Sequence, residues 1–270
     1  MTRPPIEERF PAPSVMGVIN VTPDSFSDGG VYLRVEPAVT AAWGMLDAGA
    51  AIIDVGGEST RPGSEGVTAE QELARVEPVL TDLGGAPLSI DTSKAAVARQ
   101  ALELGVELVN DVTALRGDPE LAGVVAGAGC YLCLMHMQGE PRTMQLAPRY
   151  DDVVSDVKRF LAERLAFAVG EGVREDLICL DPGIGFGKTA AHNFELVRRL
   201  GELADLGRPI VIGFSRKSSL GALFGTATGS AAASVGVAVS AYERGASIIR
   251  THDVREHVEA LTAAQAVARA

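Results

Sequence analysis

Three polar residues that could recognise a planar heterocycle each follow a short apolar run of the sequence: Asp91, Asn110 and Asp181. A carboxylate can accept paired N–H groups from such a ring, and an amide can supply both a donor and an acceptor. Together the three residues suit the edge of a 2-amino-4-oxo pyrimidine. Asp and Asn are also common helix caps, so each could instead cap the helix that follows it, although this alternative explains three residues less well than one.

Four cationic or imidazole residues lie near the ends of other apolar runs and predict an anion site: Arg61, Lys217, Arg250 and His252. Guanidinium and ammonium groups bind phosphate through charge-assisted hydrogen bonds. The chain has 35 Asp and Glu residues against 24 Lys and Arg, a formal net charge of -11. An anionic ligand must therefore be held by local cations, and we expect phosphate or pyrophosphate. Surface salt bridging is the alternative.

Asn20, together with the nearby Asp24 and Asp28, predicts a place for Mg²⁺. This ion usually keeps several waters and binds along with substrate phosphates, so it does not need a closed set of protein ligands. The spacing does not resemble a tight Zn²⁺ or Ca²⁺ site. His136 stands alone at the end of another apolar run, and we interpret it as structural rather than catalytic.

The elements that must position these residues are indicated by eight apolar runs, each ending in polar residues and followed by a helical pattern. Such runs are typical of parallel strands buried on both faces. Eight units in 270 residues predict a (β/α)8 TIM barrel, in which the active site lies at the carboxyl ends of the strands. A doubly wound open sheet is the alternative, but eight regular units favour closure. The runs cover residues 16–20, 52–55, 88–90, 108–109, 131–135, 177–180, 210–212 and 247–249.

The barrel is predicted to be a single α/β domain covering residues 14–270, because no linker or charge block divides the chain. Residues 1–13 contain four prolines and are predicted to form a flexible N-terminal arm. A helix is expected after Thr68, where Gln71 completes a capping box, although Pro78 should bend or break it.

Composition and short motifs exclude several classes of protein. The acidic charge argues against a nucleic-acid or anionic-membrane partner, and the sequence has neither a signal peptide nor the roughly 18 apolar residues of a membrane span. Cys130 and Cys133 lie in one apolar run at positions that point to opposite faces of a strand, so we expect buried thiols. The chain is therefore expected to be a soluble cytoplasmic enzyme.

A glycine-rich turn runs from Asp181 to Lys188. It ends like a P-loop, but Pro182 stands where that motif requires glycine, so the phosphate cradle is incomplete. We interpret the turn as a place where a ligand approaches the backbone closely.

Eight blocks of sequence resemble the dihydropteroate synthase family, in the order of that family and over nearly the whole chain. The longest are Met16-Gly-Val-Ile-Asn-Val-Thr-Pro-Asp-Ser-Phe-Ser-Asp-Gly-Gly30 and Asp54-Val-Gly-Gly-Glu-Ser-Thr-Arg-Pro-Gly63. The others cover residues 89–94, 109–112, 134–139, 180–188, 215–218 and 249–254. Together these motifs are highly specific.

The resemblance implies the condensation of 6-hydroxymethyl-7,8-dihydropterin diphosphate with 4-aminobenzoate, with Mg²⁺, giving 7,8-dihydropteroate and pyrophosphate. It also implies a homodimer, small-molecule substrates and a sulfonamide target. By position, the resemblance implies that the pterin is bound by Asp91, Asn110, Met135, Asp181, Phe186, Lys217 and Arg250. It implies that the diphosphate is bound by Asn20, Arg61, Arg250 and His252, and that Asn20 is also a metal ligand. The residues implied to be catalytic are Lys217, Arg61, Arg250 and His252. Aminobenzoate binding falls to Phe26, Thr60, Pro62 and Ser218.

Three alternative functions remain at this point. A methyltransferase barrel that uses methyltetrahydrofolate could share the Asp–Asn–Asp set but would not need the anion clusters. A catalytically silent pterin-binding paralogue could have lost Asn20, Arg61 or His252, whereas this chain has all three. A sugar-phosphate enzyme on the same barrel is more distant.

Overall fold

Eight parallel strands close into one barrel in chain order, as predicted from the eight apolar runs. The structure, a computed structural model, describes residues 3–22, 35–60 and 63–269. The strands are β1 Ser14–Asn20, β2 Ile52–Gly56, β3 Leu88–Asp91, β4 Leu108–Asp111, β5 Tyr131–Met135, β6 Ile178–Asp181, β7 Ile210–Ile212 and β8 Ala246–Thr251. β8 pairs with β1, with Met16 opposite Arg250, and this pairing closes the barrel.

One short helix precedes β1, and the other helices follow the strands and cover the outside of the barrel. They are α1 Ile6–Arg9, α2 Val35–Asp47, α3 Ala69–Asp82, α4 Ala95–Glu103, α5 Leu121–Ala128, α6 Val153–Gly170, α7 Ala190–Arg198, α8 Ser218–Phe224, α9 Ala231–Tyr242 and α10 Val254–Arg269. Short 3-10 helices cover Glu175–Leu177 and Leu200–Leu206. None of the helices in the described ranges is long and apolar enough to cross a lipid bilayer.

Successive side chains along each strand point alternately into the barrel and toward the helices, so the buried side chains form two layers. Residues such as Met16, Ile52 and Leu108 fill the barrel interior, while their sequence neighbours pack between strands and helices. Cys133 belongs to the interior and Cys130 to the outer layer, and both are buried free thiols. The prediction that they face opposite sides of a strand is therefore confirmed.

The N-terminal segment is packed, so the prediction of a flexible arm for residues 1–13 is wrong over its described part. Ile6 and Phe10 are 0% and 2% exposed and join the interior cluster of the barrel. The Tyr131 hydroxyl donates to the carbonyl of Pro4 at 3.1 Å. The i, i+4 spacing of these two apolar residues places both on one face of the helical segment that begins with α1.

Helix α3 confirms one local prediction and corrects another. The Thr68 hydroxyl accepts from the backbone of Gln71 at 3.2 Å, and the Gln71 side chain accepts from Thr68 at 3.0 Å, which completes the capping box. The helix nevertheless continues through Pro78 to Asp82. Its buried face, which includes Val76 and Val79, packs on the barrel on both sides of the proline, and this tertiary packing outweighs the local cost of the lost hydrogen bond.

Candidate active site

A narrow slot lies at the carboxyl ends of the strands, with a cavity volume of about 20 Å³. All seven residues to which the sequence assigns pterin binding line it: Asp91, Asn110, Met135, Asp181, Phe186, Lys217 and Arg250. Val112, Ile184 and Gly213 complete the lining and were not predicted. The barrel thus brings together side chains that are up to 159 residues apart along the chain, as Asp91 and Arg250 are.

The acidic and amide residues at the slot are not helix caps. The N-cap positions of the helices that follow β3, β4 and β6 are occupied by other residues, namely Lys94, Glu120 and Thr189. Asp91 lies opposite Asn110 in the pairing of β3 with β4, and Asp181 lies opposite Met135 in the pairing of β5 with β6. The helix-cap alternative is therefore wrong, and these side chains point into the barrel mouth.

Asp54 is the central buried carboxylate beneath the slot and was not among the site residues predicted from the sequence. It is 0% exposed and accepts three hydrogen bonds, from Ser89 Oγ at 2.6 Å, Asn110 Nδ2 at 2.9 Å and Arg250 Nε at 2.7 Å. The signal was present in the sequence, because Asp54 is a lone carboxylate inside the apolar run Ile52-Ile-Asp-Val55. A charge in such a run requires buried partners.

Arg250 links Asp54 to the floor of the slot. Its Nη2 donates to Asp91 Oδ2 at 2.9 Å, so one guanidinium bridges two carboxylates. Burial lowers the pKa of Arg250, but the charges of Asp54 and Asp91 overcome this and raise it. Burial raises the pKa of Asp91, and Arg250 opposes that rise. The network holds Arg250 charged and fixes its position below the slot.

Lys217 and Phe186 form one wall of the slot. The Lys217 ammonium lies 4.5 Å from the centroid of the Phe186 ring, in a cation–π contact. Gly185 lies beside the Lys217 side chain, and a Cβ at Gly185 would come within 3.3 Å of Lys217 Cδ. Met135, which is 4% exposed, contributes another apolar contact surface. The slot therefore offers flat, apolar surfaces with polar groups along its edges.

Asn20 and His252 are neighbours at the adjoining ends of β1 and β8. Asn20 Nδ2 lies 3.5 Å from His252 Nε2, and Ser215 Oγ lies 3.1 Å from His252 Nδ1. Ser215 Oγ also accepts the backbone N–H of His252 at 3.2 Å. Burial, followed by the positive charges of Arg250 and Arg216, lowers the pKa of His252 to about 4. The imidazole is therefore neutral near pH 7, and Ser215 orients it.

Arg216 supports this region from outside the slot. It has a left-handed backbone with φ of 53°, which is uncommon for a non-glycine residue. Its guanidinium forms a two-point ion pair with Asp253, with Nε donating to Oδ2 at 3.0 Å, and its backbone N–H donates to Ser234 at 3.0 Å. These contacts fix the backbone between Ser215 and Lys217.

Some of the residues predicted to bind aminobenzoate or the diphosphate lie outside the described structure. Phe26, Arg61 and Pro62, like the acidic residues Asp24 and Asp28, lie outside the described residues. Thr60 is half-buried and lines a neighbouring cavity that shares Val112 with the slot, while Ser218 is exposed at the start of α8. Neither Thr60 nor Ser218 lines the slot itself.

Comparison with known proteins places this architecture in a family. A family model described as pterin binding enzyme matches residues 16–252. The dihydropteroate synthase of Neisseria meningitidis serogroup C is 46% identical over 94% of this chain and 93% of that protein. The dihydropteroate synthase of Escherichia coli K12 is 45% identical over 94% of this chain and 91% of that protein. The chain belongs to the dihydropteroate synthase family.

Solved dihydropteroate synthases have the same fold along nearly their whole length. The Yersinia pestis enzyme, solved with a sulfonamide drug, superimposes with a TM-score of 0.89 at 44% identity, covering 96% of this chain and 95% of that one. The Xanthomonas albilineans enzyme with 4-aminobenzoic acid gives a TM-score of 0.89 at 44% identity, covering 97% and 95%. The latter enzyme has also been solved with 7,8-dihydropteroate, with a TM-score of 0.86.

Proposed function

We propose that this member of the dihydropteroate synthase family condenses 6-hydroxymethyl-7,8-dihydropterin diphosphate with 4-aminobenzoate, forming 7,8-dihydropteroate and pyrophosphate in folate synthesis. The observation that carries the proposal is the slot, because the residues with the chemistry to bind a pterin all line it. The relatives solved with 4-aminobenzoic acid and 7,8-dihydropteroate support the choice of substrate and product.

Pterin recognition is assigned to the polar edge of the slot. The carboxylates of Asp91 and Asp181 accept N–H groups of the ring, and Asn110 can pair with both donors and acceptors. The ammonium of Lys217 donates to a ring acceptor. Met135, Phe186 and the guanidinium of Arg250 pack against the ring, for which a narrow, flat slot is suited.

Diphosphate binding is assigned to Asn20, Arg61, Arg250 and His252, with Mg²⁺ carried by the substrate. Among the described residues, no group of three or more His, Cys, Asp or Glu side chains could hold a metal. Asn20 would offer an amide oxygen to Mg²⁺, an ion that usually keeps several waters and binds along with substrate phosphates. When bound, Mg²⁺ would supply positive charge to stabilise the leaving pyrophosphate.

In the proposed mechanism, the bond between the pterin methylene and the diphosphate breaks before the new C–N bond is well formed. The aromatic amine of 4-aminobenzoate is already neutral near pH 7, so no strong general base is required. The electron-rich dihydropterin stabilises the developing cation, while Arg250 and His252 stabilise the developing negative charge of the leaving group. The protein's task is to position both substrates and to exclude water.

The rate of a dissociative reaction should depend weakly on the basicity of the nucleophile. We expect ring-substituted 4-aminobenzoates of different basicity to give similar rates in single-turnover experiments with excess enzyme, whereas a poorer leaving group should slow the reaction strongly. A steep dependence on amine basicity with little effect of the leaving group would contradict this mechanism.

Pyrophosphate binding should be accompanied by proton uptake at His252. The pKa of His252 is lowered to about 4 in the free protein, and a bound anion raises the pKa of a neighbouring imidazole. The imidazole therefore gains a proton as the anion binds at about pH 6. Calorimetric titration in two buffers of different ionisation enthalpy measures the uptake, and the variant His252→Gln corrects for protons from pyrophosphate itself. Equal uptake in both proteins would contradict the assignment.

We also propose a cytoplasmic homodimer. Leu223 and Phe224, at the end of α8, are 61% and 65% exposed, and such an apolar pair is suited to a contact between subunits. The three buried free cysteines are consistent with a reducing compartment. Light scattering that gave the mass of one chain at micromolar concentrations would overturn the dimer.

Product identification separates the proposed reaction from its alternatives. Incubation with both substrates and Mg²⁺ should form a compound with the mass of 7,8-dihydropteroate. Pterin binding without product would favour a silent paralogue, and methyl transfer to a corrinoid protein would favour the methyltransferase. The neighbouring Asn20, Ser215 and His252 support the synthase over that methyltransferase, which would not need an anion site.

A further inference from the structure

Lys188 is a buried lysine at the end of the glycine-rich turn and does not line the slot. It is 3% exposed, and its Nζ has three close acceptors: His136 Nδ1 at 2.8 Å, the carbonyl of Gly183 at 2.9 Å and the carbonyl of Phe186 at 3.0 Å. Among the described residues no carboxylate forms an ion pair with it. Burying an ammonium is costly; the negative charge of Asp181 offsets part of that cost, while the positive charge of Lys217 adds to it.

The contacts of Lys188 join the two segments that follow β5 and β6. His136 follows β5, while Gly183 and Phe186 belong to the turn after β6. These segments touch directly, because a Cβ at Gly183, whose φ is +69°, would come within 1.8 Å of the His136 carbonyl oxygen. Lys188 therefore forms hydrogen bonds to both segments at a point where their backbones are already in close contact.

The state of His136 agrees with a donor role for Lys188. Burial, and then the charge of Lys188, lowers the pKa of His136 to about 2, so its ring is neutral and Nδ1 can accept from the ammonium. Burial also lowers the pKa of Lys188 well below its usual value. The His136 ring packs edge-on against Phe160, with centroids 4.8 Å apart.

Two further carbonyls of the turn also accept hydrogen bonds from side chains. The hydroxyl of Tyr150 donates to the carbonyl of Gly187 at 2.8 Å, and the amide of Gln145 donates to that of Gly185. Together with the two carbonyls bound by Lys188, the backbone is fixed on both sides of Phe186. Phe186 in turn lies 4.5 Å from the ammonium of Lys217, so the position of the turn sets the position of this wall.

We propose that Lys188 is a positioning residue for the pterin substrate, acting through the backbone of Phe186 without touching the ligand. Its ammonium holds the Gly183 and Phe186 carbonyls against His136, and this places the Phe186 ring at the spacing that a flat heterocycle requires. The inference rests on the proposed function, because it assigns the slot to a pterin. Loss of Lys188 should therefore weaken pterin binding and leave the binding of 4-aminobenzoate unchanged.

The test compares Lys188→Met with the control Lys158→Met, which removes a half-buried lysine paired with Asp205 on the outside of the barrel. The probe is 6-hydroxymethylpterin. Its Kd is measured by calorimetry, with the protein concentration taken as that of the folded protein. We expect Lys188→Met to raise this Kd by about 10- to 100-fold, as for a misplaced binding wall, and to change the KM for 4-aminobenzoate by less than about twofold. Lys158→Met should change neither.

Two further results distinguish positioning from a general loss of structure. Nuclear magnetic resonance should show the pKa of His136 rising in Lys188→Met, because the neighbouring charge is gone. If that variant does not fold, Lys188→Gln supplies two N–H donors without a charge and should show the same selective rise in Kd, but a smaller one. An unchanged Kd, or equal weakening for both substrates, would overturn the proposal. Failure of the wild-type protein to bind the pterin would instead overturn the proposed function.

Discussion

Replacing Asp54 with Ala should destabilise the protein by roughly 3–5 kcal/mol, the range for breaking a buried ion pair by removing one partner. Asp54 is 0% exposed and accepts bonds from Ser89, Asn110 and Arg250. Its loss leaves two neutral donors unpaired and Arg250 with Asp91 as its remaining partner. Urea unfolding followed by circular dichroism would measure the change as a lower midpoint with an unchanged slope.

Two controls make the Asp54 prediction specific. Ser89→Ala removes one of the three hydrogen bonds to the same carboxylate and should cost about 1.5–3 kcal/mol. Asp205→Ala breaks the exposed pair with Lys158 and should cost between about 0 and 1 kcal/mol. If Asp54→Ala shifted the midpoint no more than Ser89→Ala, the buried network would not stabilise the barrel mouth as we infer.

Replacing Lys217 with Ala should lower kcat/KM by about 10²- to 10³-fold, comparable to the loss of one preorganised donor in an active site. The ammonium lies at the slot, over the ring of Phe186. On the proposed assignment, its removal deletes a hydrogen bond to the pterin and a positive charge at the slot. The measurement is initial rates of product formation at varied pterin diphosphate.

The control for Lys217 is Lys158→Ala, which removes the same charge from the outer surface. Its kcat/KM should stay within about twofold of wild type, because Lys158 does not line the slot and charges at the protein surface are screened by salt. A loss of less than about tenfold in Lys217→Ala would contradict a direct role, since it would be smaller than the value of one charged hydrogen bond.

Alternation along the strands explains why much of the slot could be predicted from sequence. Leu108 and Cys179 face the barrel interior, and the residues two positions later, Asn110 and Asp181, face the same way at the strand ends. Once eight closed strands were inferred, these polar ends had to converge. The same rule applied to Ile52 would have found Asp54, because Ile52 also faces the interior.

Features that depend on tertiary packing could not be predicted in the same way. The segment around Ile6 and Phe10 closes the opposite end of the barrel, and a short helical turn has almost no local signal of its own. The left-handed backbone of Arg216 is held by Asp253 and Ser234, which lie far from it in the chain. The contacts of Lys188 likewise become visible only when the strands are assembled.

The most direct test of the central claim is pyrophosphate release by the purified protein, given pterin diphosphate and Mg²⁺, with and without 4-aminobenzoate. We predict rapid release that requires 4-aminobenzoate and that is largely lost in Asp181→Asn, whose amide replaces a carboxylate at the slot. Release that is absent under both conditions, although the pterin binds, would contradict the proposed synthase activity. Release that is unchanged in Asp181→Asn would contradict the assignment of the slot.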